Sequence, residues 1–197
     1  MRYGKVIRGT FLDRPNRFIA HVQISGKTET VHVKNTGRCR ELLVEGAEVW
    51  LEQSDNPSRK TGDDLIAVRK ESGLLVNIDS QAPNKVVREW LEAQGFDKIT
   101  PEYTYGDSQI DFYMEKGREN YLMEVKGCTL EVDGVGYFPD APTERGVKHL
   151  RGLACAADEG YHAAVMFVVQ MDGVTEVRPN TNTHPAFGTA LQEAQEA

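Results

Sequence analysis

Six short stretches rich in β-branched or aromatic residues follow one another in the first eighty residues: KVIRGTF (5–11), RFIAHVQI (17–24), ETVHV (29–33), AEVWLE (47–52), DLIAVRK (64–70) and LLVNI (74–78). Between them stand turn formers: Asp13-Arg14-Pro15-Asn16, Ser25-Gly26-Lys27, Asn35-Thr36-Gly37, Asn56-Pro57-Ser58 and Glu71-Ser72-Gly73. So many short strands in so little chain leave sheet edges to be hidden, and closure into a small barrel hides them. CRELL (39–43) reads as one helical turn interrupting the series.

Near residue 80 the hydrophobic period changes. SQAPNKVVREWLEAQG (80–95) reads as a helix with Asn84 as its cap and Val86, Val87, Trp90 and Leu91 as its apolar stripe. FDKITPEY (96–103) is a strand, IDFYMEKGRENYLMEVKG (110–127) a hairpin, and EVDGVGYF (131–138) a polar loop. DAPTERGVKHLRGLACAADEG (140–160) is a second helix, capped by Asp140, with Val147, Leu150, Leu153, Ala154 and Ala157 inward. HAAVMFVVQ (162–170) has the unbroken apolar character of a strand covered on both faces. The order predicts a mixed α/β domain over residues 81–197 after a barrel over 1–80.

Composition narrows the function. No apolar run approaches the roughly 18–20 residues of a membrane span, and the charged first residues lack the apolar core of a secretory signal. Three cysteines, Cys39, Cys128 and Cys155, lie far apart without metal-type spacing, which reads as free thiols in a reducing cytoplasm. The net charge of −7 argues against a nucleic-acid partner until its distribution is seen. Residues 1–40 hold nine Lys/Arg against two acids, whereas residues 81–197 hold ten against nineteen. A basic module that meets a polyanion, carried on an acidic body, fits that asymmetry; drift of surface charge fits it as well.

The hairpin carries the chemistry. With Lys116-Gly117-Arg118-Glu119 as a four-residue loop closed by Glu115 and Asn120, Asp111 falls directly opposite Glu124. Alternation puts Ile110, Phe112 and Met114 on one face with Tyr121, Met123 and Val125, and Asp111, Glu124 and Lys126 on the other. Two carboxylates at ~5 Å repel by about 3 kcal/mol at an effective dielectric near 20. A divalent cation, Mg2+ or Mn2+, offsets that repulsion better than Lys126 alone, and two acids, a metal and a lysine suit hydrolysis of a phosphodiester. Taken alone, acids and lysines on a strand face are most often a solvated surface. A one-residue change of register would also turn Asp111 away.

In its order of elements the second half resembles the PD-(D/E)xK nuclease core of restriction endonucleases and junction resolvases. KNTGRCRELL (34–43), NPSRKT (56–61), SQIDF (108–112), MEVKGCTL (123–130) and YFPDAPTERGVKHLRGL (137–153) together resemble the sugar fermentation stimulation protein A family. That resemblance implies an OB-like β-barrel, a restriction-endonuclease-like α/β/α domain with a mixed sheet, and binding to DNA. RNA and branched nucleic acids stay open as partners. It implies metal ligation by Asp111 and Glu124, with Lys126 completing the catalytic set. A non-catalytic DNA-binding regulator of sugar-utilisation genes that keeps the nuclease fold is the alternative. Two departures stand out: Gln109 occupies a position where arginine is common, and FGTALQEAQEA (187–197) ends where the family usually continues into a strand.

Other residues allow two readings. Glu144 and Lys148 are spaced as a surface ion pair, while the resemblance also permits a place for Glu144 near the metal. The wider nuclease resemblance also permits Glu89 on the first helix as a further acid near the metal, while a solvated helix face suits it better. His149 reads as structural or as surface. In the barrel, Arg14, Arg17, Lys34, Asn35, Thr36, Gly37, Arg38 and Arg40 form the expected nucleic-acid surface, with Asn35-Thr36-Gly37 also a plain turn. Tyr3, Phe11 and Phe18, among those basic residues, are positioned either to stack on bases or to pack in the core.

Overall fold

The computed structural model describes residues 1–197 apart from Thr36 and Pro57. The chain divides into two compact units, Met1–Ala82 with Gln170–Val174, and Pro83–Val169 with Thr175–Ala197. No described helix is long and apolar enough to cross a membrane.

The first unit contains β1 (Val6–Asn16), β2 (Ile19–Ile24), β3 (Lys27–Val33), β4 (Glu48–Gln53), β5 (Asp63–Arg69) and β6 (Leu75–Asn77). The sheet runs β3-β2-β1-β4-β5-β6, and a parallel pairing of β3 with β5 closes five of these strands into a barrel. Ala20, Val22, Val31, Val33, Val49, Leu51 and Leu65 alternate inward and fill it. The Asp13–Asn16 segment, a turn signal in the sequence, instead continues β1 through two register shifts, and bulges of this kind let one long strand bend around a barrel. CRELL forms a turn in which the Leu43 N–H donates to the Cys39 carbonyl (2.9 Å), and Cys39 and Leu42 join the core.

The second unit holds α1 (Ala82–Glu92), β7 (Lys98–Tyr105), β8 (Ser108–Lys116), β9 (Glu119–Cys128), β10 (Leu130–Val132), β11 (Val135–Phe138), α2 (Glu144–Asp158), β12 (His162–Val169), β13 (Glu176–Pro179) and α3 (Pro185–Glu196). Its main sheet runs β12-β9-β8-β7, with β12 parallel to β9 and the other pairs antiparallel. Val87 and Leu91 of α1 pack on Phe112, Met114, Met123 and Val125. Leu153 and Ala156 of α2 pack with Ile110 and Leu122, so the sheet lies between helical layers. Phe187 and Ala190 of α3 close over Val147 and Leu150.

Several expectations for this unit need correction. Of the α1 stripe only Val87 and Leu91 are buried, while Val86 and Trp90 are exposed, because a helix this short needs one narrow face for the sheet. Asn84 lies within α1 and does not cap it. The α2 cap is Thr143, whose Oγ1 accepts from the Gly146 N–H at 3.1 Å; Asp140 stands outside the helix. EVDGVGYF is the β10–β11 hairpin, which with β13 makes a separate three-stranded sheet. β12 ends the main sheet and is only partly buried, since apolar content reports neither its order in a sheet nor which faces are covered.

Candidate metal and phosphodiester site

The hairpin of β8 and β9 has the expected register, with Glu115 opposite Asn120 and Phe112 opposite Met123. Lys116 also pairs with Glu119, so the loop is the two residues Gly117-Arg118, entered through the positive φ of 62° at Gly117. The ladder stops at Phe112. Beyond it the Asp111 carboxylate takes the place of a backbone acceptor: its Oδ2 receives the Val125 N–H at 2.7 Å. On the other side of Asp111, the ladder of β7 skips from Pro101–Phe112 to Tyr103–Ile110, with Glu102 at a φ of 53°. The pleat is interrupted there, which is why Ile110 packs on the α2 side while Phe112 and Met114 pack on the α1 side.

Each acid is held by a different helix. Asn84 of α1 donates its amide to Asp111 Oδ1 at 2.8 Å. Glu124, on the central strand β9, is 3 % exposed. Its Oε1 accepts from Lys126 Nζ at 2.5 Å and from His149 Nδ1 of α2. Arg145, one turn before, donates Nε–H to His149 Nε2 at 3.3 Å. A guanidinium only donates, so Nε2 is the acceptor and the ring proton sits on Nδ1, facing Glu124. Glu124 Oε2 is buried and receives no hydrogen bond.

The electrostatics separate the two carboxyls. Burial, and then the Glu124 charge, push Asp111 above the ordinary carboxylate value. Burial pushes Glu124 the same way, but the His149 hydrogen bond and the Lys126 charge outweigh it and hold Glu124 below its ordinary value. Two coupled acids driven apart in this way favour a shared bound cation or an acid–base division of labour.

The structure therefore brings Asp111, Glu124 and Lys126 together, although Asp111 is gripped from α1 and Glu124 from α2. Three contributors were not assigned to the site from sequence: Asn84, His149 and Arg145. His149 did leave a signal, since it falls on the buried stripe of α2 between Gly146 and Leu153, where a polar ring requires a partner. Glu144 and Lys148 do not pair: Glu144 reaches His184 Nε2 (3.1 Å) and Lys148 reaches Asp107 (3.0 Å). Glu144 is strongly exposed in the first turn of α2, and Glu89 is on the exposed face of α1. Among the described residues no cluster of three or more His, Cys, Asp or Glu forms a metal cage. Two carboxylates, one with a bare buried oxygen, nevertheless suit a hard cation that keeps several waters.

The expected nucleic-acid surface of the barrel is divided. Lys34 is mostly buried among Glu52 (3.2 Å), Asp64 (3.3 Å) and Asp79 (3.7 Å), so its charge is already matched inside the fold. Asn35 donates to the Ile78 carbonyl and accepts the Gly37 N–H, the turn reading of that segment. Arg14 gives its Nη atoms to the carbonyls of Arg17, Asn35, Gly37 and Arg38, all within 2.9 Å. It is a clamp on the loop, and burial lowers its pKa. Arg17, Arg38 and Arg40 are exposed and line a hollow with Arg14, Asn16, Gly37 and Leu43. Thr36 lies outside the described residues. Phe11 is core, Tyr3 bonds to Asp79 and Asn77, and Phe18 stands at the surface.

Fold and site together define a two-part protein: a closed OB barrel followed by an α/β domain whose mixed sheet sets two acids and a lysine on adjacent strands. The chain matches the family models described as "SfsA N-terminal OB domain" over residues 12–78 and "Sugar fermentation stimulation protein RE domain" over residues 81–197. It belongs to the sugar fermentation stimulation protein family. It is 54 % identical over 198 residues to the sugar fermentation stimulation protein homolog of Desulfitobacterium hafniense strain DSM 10664, covering 99 % of this chain and 86 % of that one. To the homolog of Ruminiclostridium cellulolyticum it is 50 % identical over 198 residues, covering 98 % and 87 %. The solved structure of Pyrococcus furiosus SfsA in complex with Ca2+ superposes with a TM-score of 0.89 at 26 % identity, covering 100 % of this chain and 86 % of that one.

Proposed function

We propose that the protein binds nucleic acid, DNA in the first instance, and hydrolyses phosphodiester bonds with a divalent cation held by Asp111 and Glu124. The observation that carries this reading is Glu124 Oε2, a buried carboxylate oxygen without a hydrogen bond, in a site whose second acid, Asp111, is half-buried. An unsatisfied buried polar atom costs about 1–3 kcal/mol, and a cation on Oε2 would offset that cost. The relative from Pyrococcus furiosus, described as a complex with Ca2+, supports an oxygen-ligated cation in this family.

Each residue then has a task. Asp111 and Glu124 Oε2 would hold Mg2+ or Mn2+, which supplies Lewis acidity and an activated water when bound. Asn84 and the Val125 N–H fix the Asp111 carboxylate, and His149, oriented by Arg145, fixes that of Glu124. Lys126, within reach of the same site, meets the negative charge that grows on the phosphate oxygens in the transition state. Arg17, Arg38 and Arg40 supply the cationic surface that holds the polyanion. The cytoplasm, where Cys39, Cys128 and Cys155 stay as the free thiols seen here, is the proposed compartment.

The test is to incubate labelled single-stranded, duplex and branched DNA, and RNA, with the protein and Mg2+, Mn2+ or EDTA. Cleavage that needs the cation and is lost in Asp111→Asn and Lys126→Ala is expected. Cleavage indifferent to EDTA and to Asp111→Asn would overturn the site, and salt-sensitive binding without cleavage would leave a non-catalytic binder.

A further inference from the structure

The hollow beside the β1–β2 turn has a volume of ≈ 330 Å³ and is lined by Arg14, Asn16, Arg17, Gly37, Arg38, Arg40 and Leu43. That lies within the roughly 300–1,000 Å³ range of ligand clefts. Among the described residues no carboxylate lines it. Arg14 has its Nη donors committed to backbone carbonyls, so it holds the rim in shape and leaves Arg17, Arg38 and Arg40 to carry the charge. Three like charges around one concavity repel, and an anion relieves that repulsion.

An exposed aromatic residue, Phe18, is the chain neighbour of Arg17, which lines the hollow. Phe18 follows Arg17 in the same turn and is 52 % exposed, a large aromatic side chain left open to solvent. Its backbone is fixed on both sides: its N–H donates to Asn16 Oδ1 at 2.9 Å, and its carbonyl accepts the Val33 N–H at 2.8 Å. A ring on a rigid turn, next to a cationic hollow, forms a stacking platform with little ordering cost.

We propose that this face of the barrel takes a single strand of nucleic acid, with a phosphate against Arg17, Arg38 and Arg40 and an unpaired base stacked on Phe18. The proposal rests on the nucleic-acid half of the function above and names its substrate as single-stranded. In a duplex each base is covered by its neighbours, so only an unpaired base has a face free for Phe18. Phosphate contacts alone would not distinguish the two forms.

The test is fluorescence anisotropy of a short labelled oligothymidine and of a duplex of equal length, in EDTA so that nothing is cut. The single strand binds more tightly than the duplex. Phe18→Ala weakens the single strand by about 5-fold or more and leaves the duplex unchanged, while Phe18→Trp keeps single-strand affinity. Arg38→Ala and Arg40→Ala each lower the salt slope of log K by about 0.7, the share of one neutralised phosphate on a single strand. Thermal melts equal to wild type show that these surface variants fold. Wild-type affinity in Phe18→Ala, or duplex bound as tightly as single strand, overturns the proposal. Absence of any binding removes the nucleic-acid reading with it. Because cleavage is measured separately, a failed cleavage test leaves this result standing.

Discussion

The two oxygens of Glu124 differ: Lys126 and His149 both bond to Oε1, and Oε2 faces no donor. His149 helps to set that division, because its Nδ1–H and Lys126 Nζ together hold Oε1. Removing such a support typically costs about 10- to 100-fold in metal affinity. His149→Ala is therefore expected to weaken Mn2+ binding by about that factor in isothermal titration. His149→Asn, whose amide N–H stands near the place of Nδ1, is expected to recover most of it. Unchanged affinity in His149→Ala would remove His149 from the site. The acids themselves were legible in the sequence, because hairpin register and side-chain alternation are local arithmetic. His149 and Asn84 were not, because their roles depend on which helix lies over which strand. Lys34 shows the opposite case: a lysine in a basic segment reads as surface, yet the fold closes three carboxylates around it.

At the scale of elements, the barrel depends on two details of its strands. Gly9 sits in β1 between β2 and β4, where an added Cβ would stand 2.4 Å from Val22 Cγ1 and 3.0 Å from the Gln23 carbonyl. The carbonyl belongs to the ladder and cannot give way, so Gly9→Ala is expected to cost about 1–3 kcal/mol, read as a lower urea midpoint at unchanged m. Barrel closure is reinforced by Asp64 of β5, which bonds to His32 of β3 (2.9 Å), to Arg59 and to Lys34. Burial opposes its ionisation, but the Arg59 hydrogen bonds, His32 and the Lys34 charge prevail and bring its pKa down to about 2 from 3.8. The unfolded chain thus takes up this proton before the folded one. Its stabilisation, about 2 kcal/mol, is complete above the unfolded value and disappears as the pH falls from about 4 to about 2. The stability gap between wild type and Asp64→Asn should narrow by about 1 kcal/mol between neutral pH and roughly pH 3 in urea melts. An unchanged gap would show that Asp64 is not held this way. The elements missed from sequence, β10, β11 and β13, are strands of three or four residues; polar turn residues make the β10–β11 hairpin read as loop, and β13 pairs with β11 from about forty residues away.

For the whole molecule, two compact units carry different charge. The cation proposed for the second unit binds only its folded state, so it must stabilise that state by mass action. Mg2+ or Mn2+ at about 100 times Kd is expected to add about 2.7 kcal/mol, seen as a rise in Tm that EDTA reverses. In Asp111→Asn the rise should vanish; a rise of equal size in that variant would place the cation elsewhere. The sequence by itself determined the strand series of the barrel, the α/β order after it, the register of the β8–β9 hairpin and the three residues at its centre. These follow from hydrophobic period and turn chemistry, which act over a few residues. Tertiary structure alone decided that β3 meets β5, that Arg14 and Lys34 face inward to partners while Arg17, Arg38 and Arg40 stay exposed, and that α1 and α2 each grip one acid. Those outcomes depend on groups distant in sequence competing for the same hydrogen bonds and charges, and only the assembled fold brings them within reach.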